Sequence, residues 1–260
     1  MNNKSLFPRL LFIPAALTVL ALTGCMSMVM NAGFSSMKSP DYIPLHKNAK
    51  VGDYALLESF TVTEALLNPE TVSLSKYEVT GKEGDLYIVT LRYIKSSIPA
   101  MENFGFEYKV DKNGSVKQAF LLKGKGSSVK KTPIFIARPG ETGFVVYTDL
   151  STSAKMKNAT KTFPNVRLFQ VESFSGDAVN NSKMTTYYSF QDDIPFLAIY
   201  GRTYNEMNYV SSSTSQIGNI QTTLYSQEST SMATITKLVE AGNSIAKTSE
   251  TFDKNYEFIK

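Results

Sequence analysis

Short runs of alternating apolar and polar residues, cut at intervals by glycine-containing turns, constrain this chain more than any other feature. Period-two alternation puts every second side chain on one face, and Gly or Asn between runs supplies the positive φ that tight hairpin turns require. In residues 86–93 (LYIVTLRY), Leu86, Ile88, Thr90 and Arg92 share one face. Tyr87, Val89, Leu91 and Tyr93 share the other, which reads as the core side. The turn Gly81–Asp85 joins this run to one at 76–80, and Asn113-Gly114 joins 104–110 to 115–122. Runs at 132–137 and 142–147 bracket Arg138-Pro139-Gly140, and others follow at 166–173, 185–190 and 194–203, with Pro195 marking an edge or a strand start. About nine such strands predict a mainly β fold over residues 51–209, an antiparallel sheet forming a barrel, half-barrel or sandwich. Residues 155–162 read equally well as a helical turn or a loop.

Beyond Tyr209 the pattern changes. Residues 210–230 are rich in Ser, Thr and Gln, the composition of a linker. Met232, Ile235, Leu238, Val239 and Ile245 then recur at nearly helical spacing, so residues 231–260 are expected to form a C-terminal helix and tail, with Gly242 weakening the helix.

The first 50 residues carry a different signal. Lys4 and Arg9 precede an uncharged apolar run at residues 10–22, thirteen residues long. That is the length of a signal-peptide core and short of the roughly 20 residues a spanning helix needs. Leu22-Thr23-Gly24-Cys25 follows, and Cys25 is the only cysteine. These four residues resemble the lipobox of bacterial lipoproteins. The resemblance implies removal of residues 1–24 and diacylglycerol on the Cys25 sulfur, usually with a further acyl group on its amine. One acyl chain binds a membrane only marginally and two or more hold firmly. Met26, where an Asp would signal inner-membrane retention, favours by resemblance an outer-membrane anchor facing the periplasm. Residues 25–50 lack periodicity and contain Pro40 and Pro44, which reads as the lipidated N-terminus and a flexible tether. Failed cleavage is the alternative, since no charge appears between Leu10 and Lys38 and an uncleaved anchor could span a bilayer.

Charge and chemistry narrow the function classes. Two of the 27 basic residues lie in the leader, leaving 25 against 23 acidic ones, so nothing predicts nucleic-acid binding. The basic run Lys123, Lys125, Lys130 and Lys131 reads as a solvated loop. His46, the only histidine, falls in the expected tether and reads as a solvated loop residue. One histidine and no second cysteine predict no metal centre and no cofactor beyond the lipid on Cys25. Asp192 and Asp193 are adjacent, so on a strand they would point to opposite faces, and no catalytic residue is assigned.

Aromatics concentrate at Tyr187, Tyr188, Phe190, Phe196, Tyr200 and Tyr204, with Tyr209 beyond. Such rings form core or line a patch for an apolar ligand or a partner protein. The expected function is therefore a membrane-anchored envelope lipoprotein with a non-catalytic β domain that binds a partner protein or an apolar ligand. One alternative is a lipid or lipoprotein carrier, since the chain is similar to the LolA/LolB group in its anchored, exported, strand-rich character. That likeness rests on no motif, and the chain has no tryptophan. The enzyme alternative is a carboxylate-dependent hydrolase of envelope polymers.

Overall fold

Alternation becomes pairing in the computed structural model, which describes residues 38–62, 70–138, 141, 145–176, 181–217 and 220–259. Among them the strands are β1 (Asp53–Val62), β2 (Glu70–Glu83), β3 (Leu86–Ser96), β4 (Phe104–Val110), β5 (Val116–Lys123), β6 (Lys130–Ile134) and β7 (Val145–Lys157). The second half adds β8 (Thr162–Gly176), β9 (Asn181–Phe190), β10 (Ala198–Ile217), β11 (Ile220–Asn243), β12 (Thr248–Thr251) and β13 (Glu257–Ile259). They form one antiparallel sheet in the order β13-β7-β8-β9-β10-β11-β1-β2-β3-β4-β5-β6, with β12 on β11. The fold is mainly β as expected, and the sheet is open rather than closed into a barrel.

The turn residues act as their chemistry predicts. Gly114 adopts φ +88° between β4 and β5. Asp111 Oδ1 accepts hydrogen bonds from the Asn113 and Ser115 amides at 2.9 and 3.0 Å, locking that turn. On β3 the expected core face is the one that buries Val89 and Leu91. Register continues this inner face across the sheet, through Val79 and Tyr77 on β2, Ala55 and Leu57 on β1 and Leu238 on β11. Full burial of each Val or Leu among them is worth about 1.5–3 kcal/mol. A second core lies on the outer face. The C-terminal segment brings Phe252 and Tyr256 against Phe163, with centroids 6.0 and 5.9 Å away, over buried Met156 and Val166.

Three expectations are corrected. Residues 210–230 are not a linker and 231–247 are not a helix, for both lie mostly within β10 and β11. Ile235 and Leu238 read as one helical stripe although they lie on opposite faces, Ile235 beside Arg202 and Leu238 beside Leu57, and a bulge follows them. Leu57 pairs with Leu238 but Leu56 pairs with Glu240, so Val239 is an extra residue. Leu238 and Ala241, three apart, therefore bury on the same face. Residues 38–50 are not a flexible tether. Ser39 bridges to Ile136 in parallel, the Ile43 amide donates to the Gly114 carbonyl at 2.9 Å, and Ile43, Leu45 and Ala49 are buried. The prolines that deny this segment a helix suit an extended strap instead. Residues 155–162, left open by the sequence, form the end of β7 and the Asn158–Lys161 turn into β8.

Candidate functional site

The strap and the inner face of the sheet leave a cavity of about 260 Å³ between them. Pro40, Tyr42, Ile43 and Pro44 line it from the strap, and Leu57, Tyr77 and Tyr108 from β1, β2 and β4. Opposite are Val171 of β8, Met184, Thr186, Tyr188 and Phe190 of β9, then Phe196 and Ala198. Strands well separated in the sheet order thus share one cavity, because the sheet curls around the strap.

Local structure fixes each wall. Tyr188 stands on the inner face opposite Gly201 of β10, and a Cβ on Gly201 would lie 2.7 Å from the Tyr188 ring. Glycine at this position lets the ring lie on the strand. Tyr188 then stacks on Phe190 with centroids 5.5 Å apart, and Phe190 lies tilted against Phe169 at 4.9 Å. Phe196 arrives from a tight loop in which it and Leu197 take φ of 61° and 60°. Non-glycine residues held at positive φ store roughly 1–3 kcal/mol of strain each, which the surrounding packing must offset. The Leu197 carbonyl accepting from the Gln191 amide at 2.8 Å and the Tyr77–Phe196 ring contact at 5.5 Å hold the loop there.

The electrostatics are those of a polar-tipped apolar chamber. Among the described residues no charged one lines the cavity. Burial pushes the Tyr42, Tyr77 and Tyr188 phenols above their usual range, with Tyr188 adding to the rise at Tyr77. All three are therefore neutral near pH 7. Thr186 Oγ1 is engaged with Thr203 Oγ1 at 2.9 Å.

The predicted aromatic patch divides by strand parity. Tyr188, Phe190 and Phe196 enter the cavity. Tyr187, Tyr200 and Tyr204 belong to the outer face, where Tyr187 pairs with Arg202 across the strands. Tyr187 and Tyr204 meet edge-on at 6.2 Å, 43% and 39% exposed, while Tyr200 packs toward Tyr256 at 6.3 Å. Period two separates neighbours such as Tyr187 and Tyr188, so this division was open to sequence reasoning. Tyr42, Tyr77 and Tyr108 were missed because only the curl of the sheet brings them to the same space. Cys25 and the lipobox lie outside the described residues.

His46 is not the solvated residue expected. Its side chain is 10% exposed, and Nε2 lies 3.0 Å from Asp53 Oδ2. Asp53 is fixed in turn by the Lys50 amide at 2.7 Å and by Asn243 Nδ2 at 2.7 Å. His46 Nδ1 is buried without a hydrogen-bond partner among the described residues. With no nucleophile bonded to it, this pair braces the end of the strap. Asp192 pairs with Arg167 at 2.6 Å, and Asp193 is exposed. In the basic run, Lys125 and Lys131 pair with Glu102 and Glu107, and Lys123 lies over the Phe104 ring. No group of three metal-ligating side chains occurs among the described residues. In comparisons with known proteins, no family model, no curated protein and no solved structure matches this chain.

Proposed function

We propose that this chain is a bacterial envelope lipoprotein, held to a membrane by lipid on Cys25, whose β domain is a non-catalytic module that takes an apolar ligand beneath the strap. The observation that carries the binding half is the cavity itself, a partly closed space with an aromatic and aliphatic lining and, among the described residues, no charged one. Apolar pockets with a few convergent polar groups are the usual form of small-molecule sites. A carboxylate-dependent hydrolase would need acids inside such a space, and Asp192 is instead tied to Arg167 outside the lining. The anchoring half rests on the leader and the lipobox, with the outer membrane facing the periplasm as the favoured location.

Two further readings each have an observation in their favour. A lipid or lipoprotein carrier is favoured by the same cavity within a curled antiparallel sheet. A partner protein is favoured by exposed Tyr187 and Tyr204 beside Arg202, residue types that often anchor interfaces.

Metabolic labelling with a palmitate analogue tests the anchor. The wild-type chain should carry label and sediment with membranes. Cys25→Ser should lose the label and leave the membranes in salt. Label retained by Cys25→Ser would falsify the anchoring.

A further inference from the structure

We infer that the cavity takes an uncharged amphiphile of medium chain length, an alcohol or an ester rather than a carboxylate, with its oxygen held at Tyr77 and Tyr188. This rests on the binding reading above and deepens it by naming the ligand class.

Size comes first. An apolar cavity of about 150 Å³ accommodates a benzene ring, and simple scaling to the volume found here allows about ten carbon atoms. Chemistry decides the head group. The fourteen described lining residues are all uncharged, so a carboxylate inside would meet no counter-ion among them, a heavily penalised state. Arg167, the cation that Tyr42 feels, lies outside the lining and is engaged by Asp192 at 2.6 Å. A wholly apolar ligand would ignore the tyrosines. Tyr77 and Tyr188 are half-buried, and both line the cavity. Among the described residues no hydrogen bond reaches either phenol. Thr186, the other hydroxyl on that wall, is taken by Thr203. Two neutral phenols inside an apolar chamber match one ligand oxygen that accepts or donates a hydrogen bond without carrying charge.

The absence of tryptophan supplies the assay. Phe190→Trp places a single fluorophore in the cavity of the full lipidated chain, held in phospholipid nanodiscs at pH 8. The probes are 8-bromooctan-1-ol, 8-bromooctanoate and 1-bromooctane, whose bromine quenches tryptophan on contact. The alcohol should quench saturably at a concentration at least about tenfold below that of the carboxylate. Adding Tyr77→Phe and Tyr188→Phe should raise the half-saturation for the alcohol by about fivefold or more and leave bromooctane unchanged. Met184→Trp, at the rim of the same cavity, provides a second reporter that does not disturb the Phe169–Phe190 contact. Quenching by the carboxylate at equal or lower concentration overturns the ligand class and leaves the apolar-site reading standing. No saturable quenching by any of the three probes, with either reporter, overturns both.

Discussion

His46 joins the strap to the sheet through a single carboxylate. Asp53 accepts from the Lys50 amide and from Asn243 Nδ2, which hold its carboxylate for His46. Asn243 also donates to the Val51 carbonyl at 3.1 Å and accepts from the Ile245 and Ala246 amides at 3.0 and 2.8 Å. Burial lowers the His46 pKa, and the charge and hydrogen bond of Asp53 offset that only in part. A base with a lowered folded-state pKa holds its proton less tightly in the folded chain than in the unfolded one. As pH falls below the unfolded value of about 6.5, the unfolded chain takes up the proton first. Stability contributed by neutral His46 is therefore complete above that pH and is lost as pH drops toward the lower folded-state pKa. Urea unfolding from pH 8 to pH 5 should show this loss in the wild-type chain. His46→Gln keeps a donor for Asp53 and removes the titration, so its profile should be flatter across the same window. Identical slopes for the two chains would eliminate His46 as the source.

Among the elements, the β10–β11 hairpin exceeds the sheet it belongs to. Pairing of β10 with β9 ends at Asn208, and pairing of β11 with β1 ends at Ala233. Past those points the two strands pair only with each other among the described residues, out to Ile217 and Ile220. Nine residues of β10 at about 3.3 Å each extend roughly 30 Å. A two-stranded ribbon contributes little to stability by itself. Replacing residues 213–224 with Asn-Gly, which joins the facing pair Ser212 and Tyr225 by a two-residue turn, should change the unfolding free energy by less than about 1 kcal/mol. It should also leave quenching in the cavity untouched. A loss above about 2 kcal/mol would mean that the distal ribbon packs against the rest of the domain. This ribbon shows where sequence reasoning stops. Strands with a buried face and a glycine turn, such as β3 and the β4–β5 pair, were legible because burial imposes period two. The ribbon has two strands and, among the described residues, no third neighbour in register, so no alternation was imposed and its Ser and Thr read as linker. Apolar residues on both faces of β11, Ile235 outward and Leu238 inward, with the bulge at Val239 beyond them, then disguised the buried half as a helix. In the site, composition located Tyr188, Phe190 and Phe196. Their partners Tyr42, Tyr77 and Tyr108 depend on long-range curl, which leaves no local trace.

For the whole molecule, openness is the main liability, since an open sheet presents edge strands that can pair with another chain. One edge is β6, and it carries the protections such a strand needs. Pro133 lacks an amide hydrogen, Lys130 and Lys131 are exposed, and the strand is only five residues long. Past its end, Ser39 of the strap takes over the edge, its amide donating to the Phe135 carbonyl at 2.8 Å and its carbonyl accepting from the Ala137 amide at 2.9 Å. The strap therefore roofs the cavity and also seals part of the sheet. If Pro133 and the lysines keep β6 from templating a second copy, their combined removal should expose it. Pro133→Val with Lys130→Thr and Lys131→Thr should give concentration-dependent self-association in sedimentation velocity, while the wild-type chain under the same conditions should not associate through β6. Lys131 also pairs with Glu107 and lies over the Phe120 ring at 4.2 Å, so Lys131→Thr alone should lower stability slightly without association. A triple variant that stays as dispersed as wild type would show that the strap, and not the edge residues, keeps this side of the sheet from pairing.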